Sequence, residues 1–144
     1  MKNYLVFFIL LIITLYFVDI VFAAGKCPQP RKTRSAPVDI SKIDKTTQAS
    51  AENGKNLYIK TAKPMACKNC HGETGAGDGK LSKALKPAPT NFTCKDTMKD
   101  VSAGQMFWII KNGSQRTGML SFGLNMEDGE IWDVIKYIRG TFMK

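Results

Sequence analysis

The chemistry of this chain is concentrated at Cys67-Lys68-Asn69-Cys70-His71. Two cysteines with two residues between them, and a histidine directly after, suit one task. Both thiols add across the vinyl groups of a haem as thioethers, and the imidazole reaches the iron from the same side. The two intervening residues let both sulfurs straddle one edge of the porphyrin while the next residue turns beneath the metal. Two other chemistries use paired cysteines. A thioredoxin-like redox pair needs a βαβ setting, which the flanking sequence does not offer. A zinc site would have to recruit Cys27 and Cys94 at irregular spacing, with thiols that survive export. The histidine after the pair, an export signal and the helical context select covalent attachment of one haem c.

His71 is the only histidine in the chain, so a second imidazole from this polypeptide is excluded at the iron. The sixth position then falls to methionine, cysteine, lysine, a terminal amine, water or nothing. Met106 lies at core spacing in a helix, where packing is the ordinary role of methionine. Met126 is read as starting a helix, and Met65 is too close to the attachment motif to cross to the other face. Met119 lies in Thr117-Gly118-Met119-Leu120-Ser121-Phe122-Gly123, a non-helical stretch whose glycines let backbone pass close to a porphyrin. It is the expected partner of His71 on the iron, with Phe107, Trp108 and Phe122 as walls that keep water out. Cys27 and Cys94 have two readings. As a disulfide they clamp the N-terminal segment onto the loops around the haem, worth about 4 kcal/mol in the chain-entropy account. Alternatively, one thiolate replaces Met119 on the iron and lowers the potential.

The elements that must position these residues fit in one domain, the chain being 144 residues long. Lys2, an apolar run over residues 4–18, and Val21 and Ala23 at small-residue positions read as a signal peptide, residues 1–23, cleaved after about Ala23. The apolar stretch resumes after Asp19, so an uncleaved anchor is the alternative; Lys26 before Cys27 excludes a lipoprotein cysteine. Residues 24–48 are rich in proline and charge without an apolar period, and read as an extended arm. Residues 49–144 form the folded domain, all-α, with three main helices and long loops. The first covers 49–61 and is stopped by Pro64. The second starts at a capping-box pair, Ser102 and Gln105, carries Met106, Ile109 and Ile110 on one face, and ends at Asn112-Gly113. The third is capped by Asn125, places Ile131, Ile135 and Ile138 on one face, and closes at Gly140. A short helical turn is expected over 80–86. Loops this long in an all-α chain enclose more space than side chains fill, which leaves room for a cofactor.

Taken in order, these motifs resemble the class I cytochromes c of bacterial electron-transport chains, over residues 49–142. Gly54-Lys55-Asn56-Leu57-Tyr58 looks like that family's N-terminal helix. Gly72-Glu73-Thr74-Gly75-Ala76-Gly77-Asp78-Gly79, with Pro87, Pro89, Asn91 and Phe92, looks like the loop that wraps the haem. Phe107-Trp108-Ile109-Ile110-Lys111-Asn112-Gly113 matches the helix before the ligand loop, and Ile131-Trp132-Asp133-Val134-Ile135-Lys136-Tyr137-Ile138-Arg139 matches the C-terminal helix. The resemblance implies the class I cytochrome c fold and a crossing of first and last helices through Gly54 and Tyr137. It also implies a proline carbonyl, of Pro87 or Pro89, on the other nitrogen of His71. Leu120 departs from the pattern, which often has proline after the ligand methionine.

An iron closed by His71 and Met119 leaves no position for substrate, and no paired-carboxylate or phosphate-binding pattern appears elsewhere. The expected function is therefore outer-sphere electron transfer by an exported, periplasmic carrier, not catalysis. The formal net charge of +9 and a collar of Lys68, Lys80, Lys83, Lys86, Lys111 and Arg116 point to acidic redox proteins as partners. Nucleic acid is not expected, nor stable membrane insertion once the signal is cleaved. Two alternatives have their own signatures. A cytochrome subunit of a larger periplasmic or membrane-attached enzyme would use the arm as its docking segment. A haem-based NO or gas binder would need a labile sixth ligand or cysteine ligation.

Overall fold

The computed structural model describes residues 27–29 and 33–144. The expected signal peptide and residues 24–26 and 30–32 of the arm lie outside the described residues. The regular elements among the described residues are helical. Three of these helices are short, α1 (Val38–Ser41), α3 (Lys68–His71) and α4 (Lys95–Met98), and three are longer: α2, from Ala51–Asn56 into a wider-wound last turn at Leu57–Thr61, α5 (Ala103–Asn112) and α6 (Asp128–Thr141).

Local chemistry accounts for the ends of these helices. Ser50 caps α2, its side chain accepting from the Asn53 N–H, so the helix starts two residues later than the sequence pattern indicates. Ser102 caps α5 in the same way through the Gln105 N–H. The return half of that capping box is missing, because the Gln105 amide is used elsewhere. Helix α6 departs from expectation at both ends. Glu127, not Asn125, is the cap, in a reciprocal box with Glu130, and the helix runs through Gly140 to Thr141. A carboxylate beside the free N–H groups of a first turn gains from the helix dipole as well as the hydrogen bond, which Asn125 would not. Met126 accordingly lies before the helix. The expected turn over 80–86 is a single 3₁₀ turn at Ser82–Ala84.

Helices α2 and α6 cross at Gly54, where an added Cβ would run into the Asp133 carbonyl and the Cβ of Tyr137. The crossing is thus the one the resemblance implies. Tyr58, Ile131 and Ile135 are fully buried beside it, with Leu57, Val134 and Ile138 completing the contact. Tyr58, Tyr137 and Phe142 form a ring cluster with centroids 5.4–5.5 Å apart. Asp133 tightens the same crossing by accepting from the Ser50 N–H at 2.6 Å and Asn53 Nδ2 at 2.8 Å. Close helix approach at a residue without a side chain, flanked by apolar rows, is how a small domain obtains a core from two helices.

The arm differs from a freely extended segment. Its described part carries α1 and a 3₁₀ turn at Thr46–Gln48 and lies along the start of α5. Gly104 permits this, since a side chain there would meet the carbonyl of Ile40. The buried Gln105 amide accepts from the Ala36 N–H at 2.7 Å and donates to the Arg34 carbonyl at 3.0 Å. The Ser102 hydroxyl donates to the Ser41 carbonyl at 2.7 Å.

Candidate functional site

Residues 66–72 form one helical turn, with the His71 N–H donating to the Cys67 carbonyl at 3.0 Å and the Gly72 N–H to the Lys68 carbonyl at 2.9 Å. In that turn Cys67, Cys70 and His71 stand at i, i+3 and i+4, so both thiols and the imidazole share one face. Gly72 ends the turn with φ 81°. The glycine-rich loop then doubles back, its N–H groups meeting the turn's free carbonyls. Gly77 donates to the His71 carbonyl at 2.8 Å, Gly79 to Cys70 at 3.1 Å and Leu81 to Asn69 at 2.9 Å. Helix ends leave such carbonyls without partners, and this loop is their cap. Tyr58 adds a buried bond from its hydroxyl to the Gly72 carbonyl at 2.8 Å, which ties the attachment turn to the α2–α6 crossing.

His71 Nδ1 lies 3.0 Å from the carbonyl oxygen of Thr90. A carbonyl only accepts, so Nδ1 carries the proton and Nε2 keeps the lone pair. The acceptor is therefore neither Pro87 nor Pro89 but the residue that follows Pro89. The difference is one of register, because proline sets the loop's direction without having to supply the oxygen itself. Phe92 stacks on the imidazole, with centroids 4.5 Å apart and 18° between the planes. Burial holds the His71 pKa below its ordinary value against the opposing pull of the Thr90 bond, which keeps the ring neutral. Burial also pushes the Cys67 thiol up to about 12 and raises that of Cys70. These are protonated thiols, not redox-active thiolates.

Cys67, Cys70 and His71 line one side of a cavity of about 340 Å³. Met119, Phe122, Ile110 and Met106 are among the residues facing it from α5 and the loop beyond. That loop is pinned at both ends of Met119. The Met119 N–H donates to the Thr117 hydroxyl at 3.1 Å, and its carbonyl accepts from the Ser114 N–H at 3.0 Å. Phe122 and Gly123 donate to Ile110 and Lys111 at the end of α5, each at 3.0 Å. Hydrogen bonds supply the rigidity that a proline in place of Leu120 would otherwise give. Of the three expected walls, only Phe122 lines the cavity. Phe107 instead stacks on Trp132, with centroids 4.7 Å apart and planes 8° from parallel, and Trp108 is likewise absent from the lining. Met65, Met98 and Met126 also line it, which the sequence pattern did not indicate.

Cys27 and Cys94 are joined, with an S–S distance of 1.97 Å. Both sulfurs are thereby withdrawn from the thiolate and zinc readings. Among the described residues no group of three or more His, Cys, Asp or Glu is arranged to hold a metal ion.

The cytochrome c family model matches residues 51–142. The chain belongs to the cytochrome c family. Membership carries a covalently bound haem c and an electron-transfer role. A chain of the Kuenenia stuttgartiensis reducing HAO-like protein complex shares the fold, with TM-score 0.59 and 24% identity over 74% of this cytochrome. This cytochrome spans 50% of that chain's length. No curated protein matches.

The residues of this cytochrome fit the group that the family carries. The cavity is apolar, two neutral thiols and a neutral imidazole with a free Nε2 share one wall, and a soft thioether lies on the pinned loop. Class I architecture, all-helical with long enclosing loops, is what the described residues display. No helix among them is long and apolar enough to cross a membrane. The expected basic collar is only partly unpaired. Lys68 meets Glu73 at 2.7 Å and Lys111 meets Asp128 at 2.7 Å, while Lys80, Lys83 and Lys86 are exposed at the loop that wraps the cavity.

Proposed function

We propose that this cytochrome is an exported, single-haem electron carrier in which Cys67 and Cys70 hold haem c as thioethers and His71 and Met119 ligate its iron. The observation that carries the reading is the shared face of Cys67, Cys70 and His71 on one helical turn, opening into an apolar cavity. Haem bound there supplies reversible one-electron redox chemistry at its iron. The chain's own residues do the rest. Thr90 fixes the imidazole's tautomer and orientation. Ser114 and Thr117 hold the Met119 backbone, and the apolar lining excludes water, which disfavours the more charged ferric state. The exposed Lys80, Lys83 and Lys86 suit transient docking of acidic redox proteins, through small interfaces formed at electrostatically assisted rates. Residues 1–23 act as the export signal, 24–48 as an arm and 49–144 as the haem-binding domain in this reading.

A second reading is supported by the likeness to a chain of a multi-subunit complex. This cytochrome would then be one redox subunit of a larger assembly, docked through the arm. Gel filtration of the native protein separates the two: a monomer supports the carrier, and a stable large complex supports the subunit.

Absorption spectra of both oxidation states test the ligand pair. The wild type is expected to display the weak band at the red end that marks methionine–iron ligation. Met119→Ala is expected to lose it, to lower the potential and to open the iron to CO. A variant that keeps the wild-type spectrum overturns Met119 as ligand.

A further inference from the structure

The arm brings Gln29 and Thr33 to the cavity, and no sequence motif singled out either. Gln29 lines it and is fastened by three hydrogen bonds, one to α4 and two to the loop that holds His71. Its N–H donates to the Thr97 hydroxyl at 2.9 Å. Its Nε2 donates to the Pro89 carbonyl at 3.1 Å, and its Oε1 accepts from the Asn91 N–H at 2.8 Å. The last two partners flank Thr90, whose carbonyl receives His71 Nδ1 at 3.0 Å. Pro89 has no N–H and offers only its oxygen, whereas the Asn91 N–H only donates. A carboxamide of glutamine length answers both from one planar group; leucine answers neither. The brace is tethered as well, because Cys27, two residues earlier, is bonded to Cys94 just beyond the same loop.

The Thr90–His71 bond matters for electron transfer because of what it does to the ligand. A firm acceptor on Nδ1 makes the imidazole a stronger donor through Nε2, and a stronger donor favours the more highly charged iron. We propose that Gln29 is a positioning residue: it holds residues 89–91 so that the Thr90 carbonyl stays on His71 Nδ1, and the arm thereby sets the reduction potential. The proposal rests on the reading of His71 as the iron ligand. It gives the arm a task beyond docking or clamping.

The test uses the haem-loaded, export-matured chain carrying Gln29→Leu, which removes both amide bonds while keeping the cavity wall apolar and filled. The readouts are the potential from a redox titration and the exchange rate of the His71 Nδ1 proton by NMR of the reduced protein. The variant is expected to shift the potential upward and to exchange that proton at least about fivefold faster, with the methionine band retained. Asp133→Ala, which loosens the α2–α6 crossing by removing the bonds to Ser50 and Asn53, serves as the control and is expected to lower the melting temperature without moving either readout. If Gln29→Leu does not accumulate, Gln29→Asn keeps the amide but is too short to span both partners, and the same shifts are expected. Wild-type potential and exchange in a haem-loaded Gln29 variant overturn the proposal and leave Gln29 as a fastening only. Equal shifts from Asp133→Ala also overturn it, since general loosening would then suffice. Haem that extracts from the wild type would instead overturn the ligand reading on which the proposal stands.

Discussion

The α2–α6 crossing and the face covered by the arm are held by different physics. At the crossing, apolar side chains fill the space up to contact, and Gly54 lets two backbones approach until only hydrogen atoms fit between them. On the cavity side, apolar side chains from α5 and the Met119 loop face a space that side chains do not fill. Polar bonds close that side instead. Gln29, Gln105 and Ser102 each bind backbone groups of a partner segment, and the Cys27–Cys94 disulfide adds a covalent tether. The contrast teaches a division of labour. One region gains stability from packing and tolerates no added volume. The other keeps volume free for a cofactor and obtains its order from directional bonds.

Gly54→Ala should break the packed region most severely. The new methyl meets the Asp133 backbone, which has no rotamer with which to yield, and overpacking of this kind costs about 2–3 kcal/mol even after alanine's better helix propensity. Denaturant titration of the haem-loaded protein measures it; a change below about 0.5 kcal/mol would mean that the crossing is softer than described. Tyr58→Phe removes a buried bond between the crossing and the attachment turn, and a loss of about 1–2 kcal/mol is expected in the same assay. Amide exchange in residues 68–72 should rise in that variant, and unchanged protection would show that the attachment turn does not depend on the crossing.

Gly104→Ala acts on the bonded region. Its methyl meets the Ile40 carbonyl, but the arm is a single layer and can lift, so about 1 kcal/mol is expected. Faster exchange at the Ala36 N–H, with the α2–α6 crossing still protected, is the signature; equal loss in both regions would erase the distinction drawn between them. The smallest effect concerns acid stability. Asp44 accepts from the Thr46 hydroxyl and N–H, at 2.6 and 2.9 Å, and these bonds hold its pKa below the ordinary 3.8. Its contribution is present above that value and is lost as pH falls through the lowered folded pKa. Because the group is exposed, Asp44→Asn should cost only a few tenths of a kcal/mol at neutral pH and nothing at pH 2. A loss that persists at pH 2 would assign the effect to something other than the carboxylate.

Much of the helix frame was legible because it rests on local patterns. Ile131, Ile135 and Ile138 recur at helical spacing and are buried, and Ser102 caps where a capping residue was expected. The α6 cap is not legible in the sequence because Asn125 and Glu127 both suit an N-cap, and only the reciprocal bond to Glu130 decides between them. At the site, the shared face of Cys67, Cys70 and His71 follows from their spacing alone. The acceptor for His71 does not, since loop register is set by contacts with segments distant in sequence. Gln29 lies 60 residues from Pro89, and nothing in the proline-rich composition of the arm signals that its side chain reaches the cavity. Phe107 shows the converse: its place near the ligand loop suits a cavity wall, but the ring stacks on Trp132 across the helix interface.

The central claim is that Cys67 and Cys70 bind haem covalently, and intact mass spectrometry after acid–acetone extraction tests it most directly. The protein purified from a host with a haem-attachment system is predicted to retain the mass of one haem, and Cys67→Ala/Cys70→Ala to retain none. Haem that extracts freely from the wild type, or remains bound to the double variant, would contradict the account.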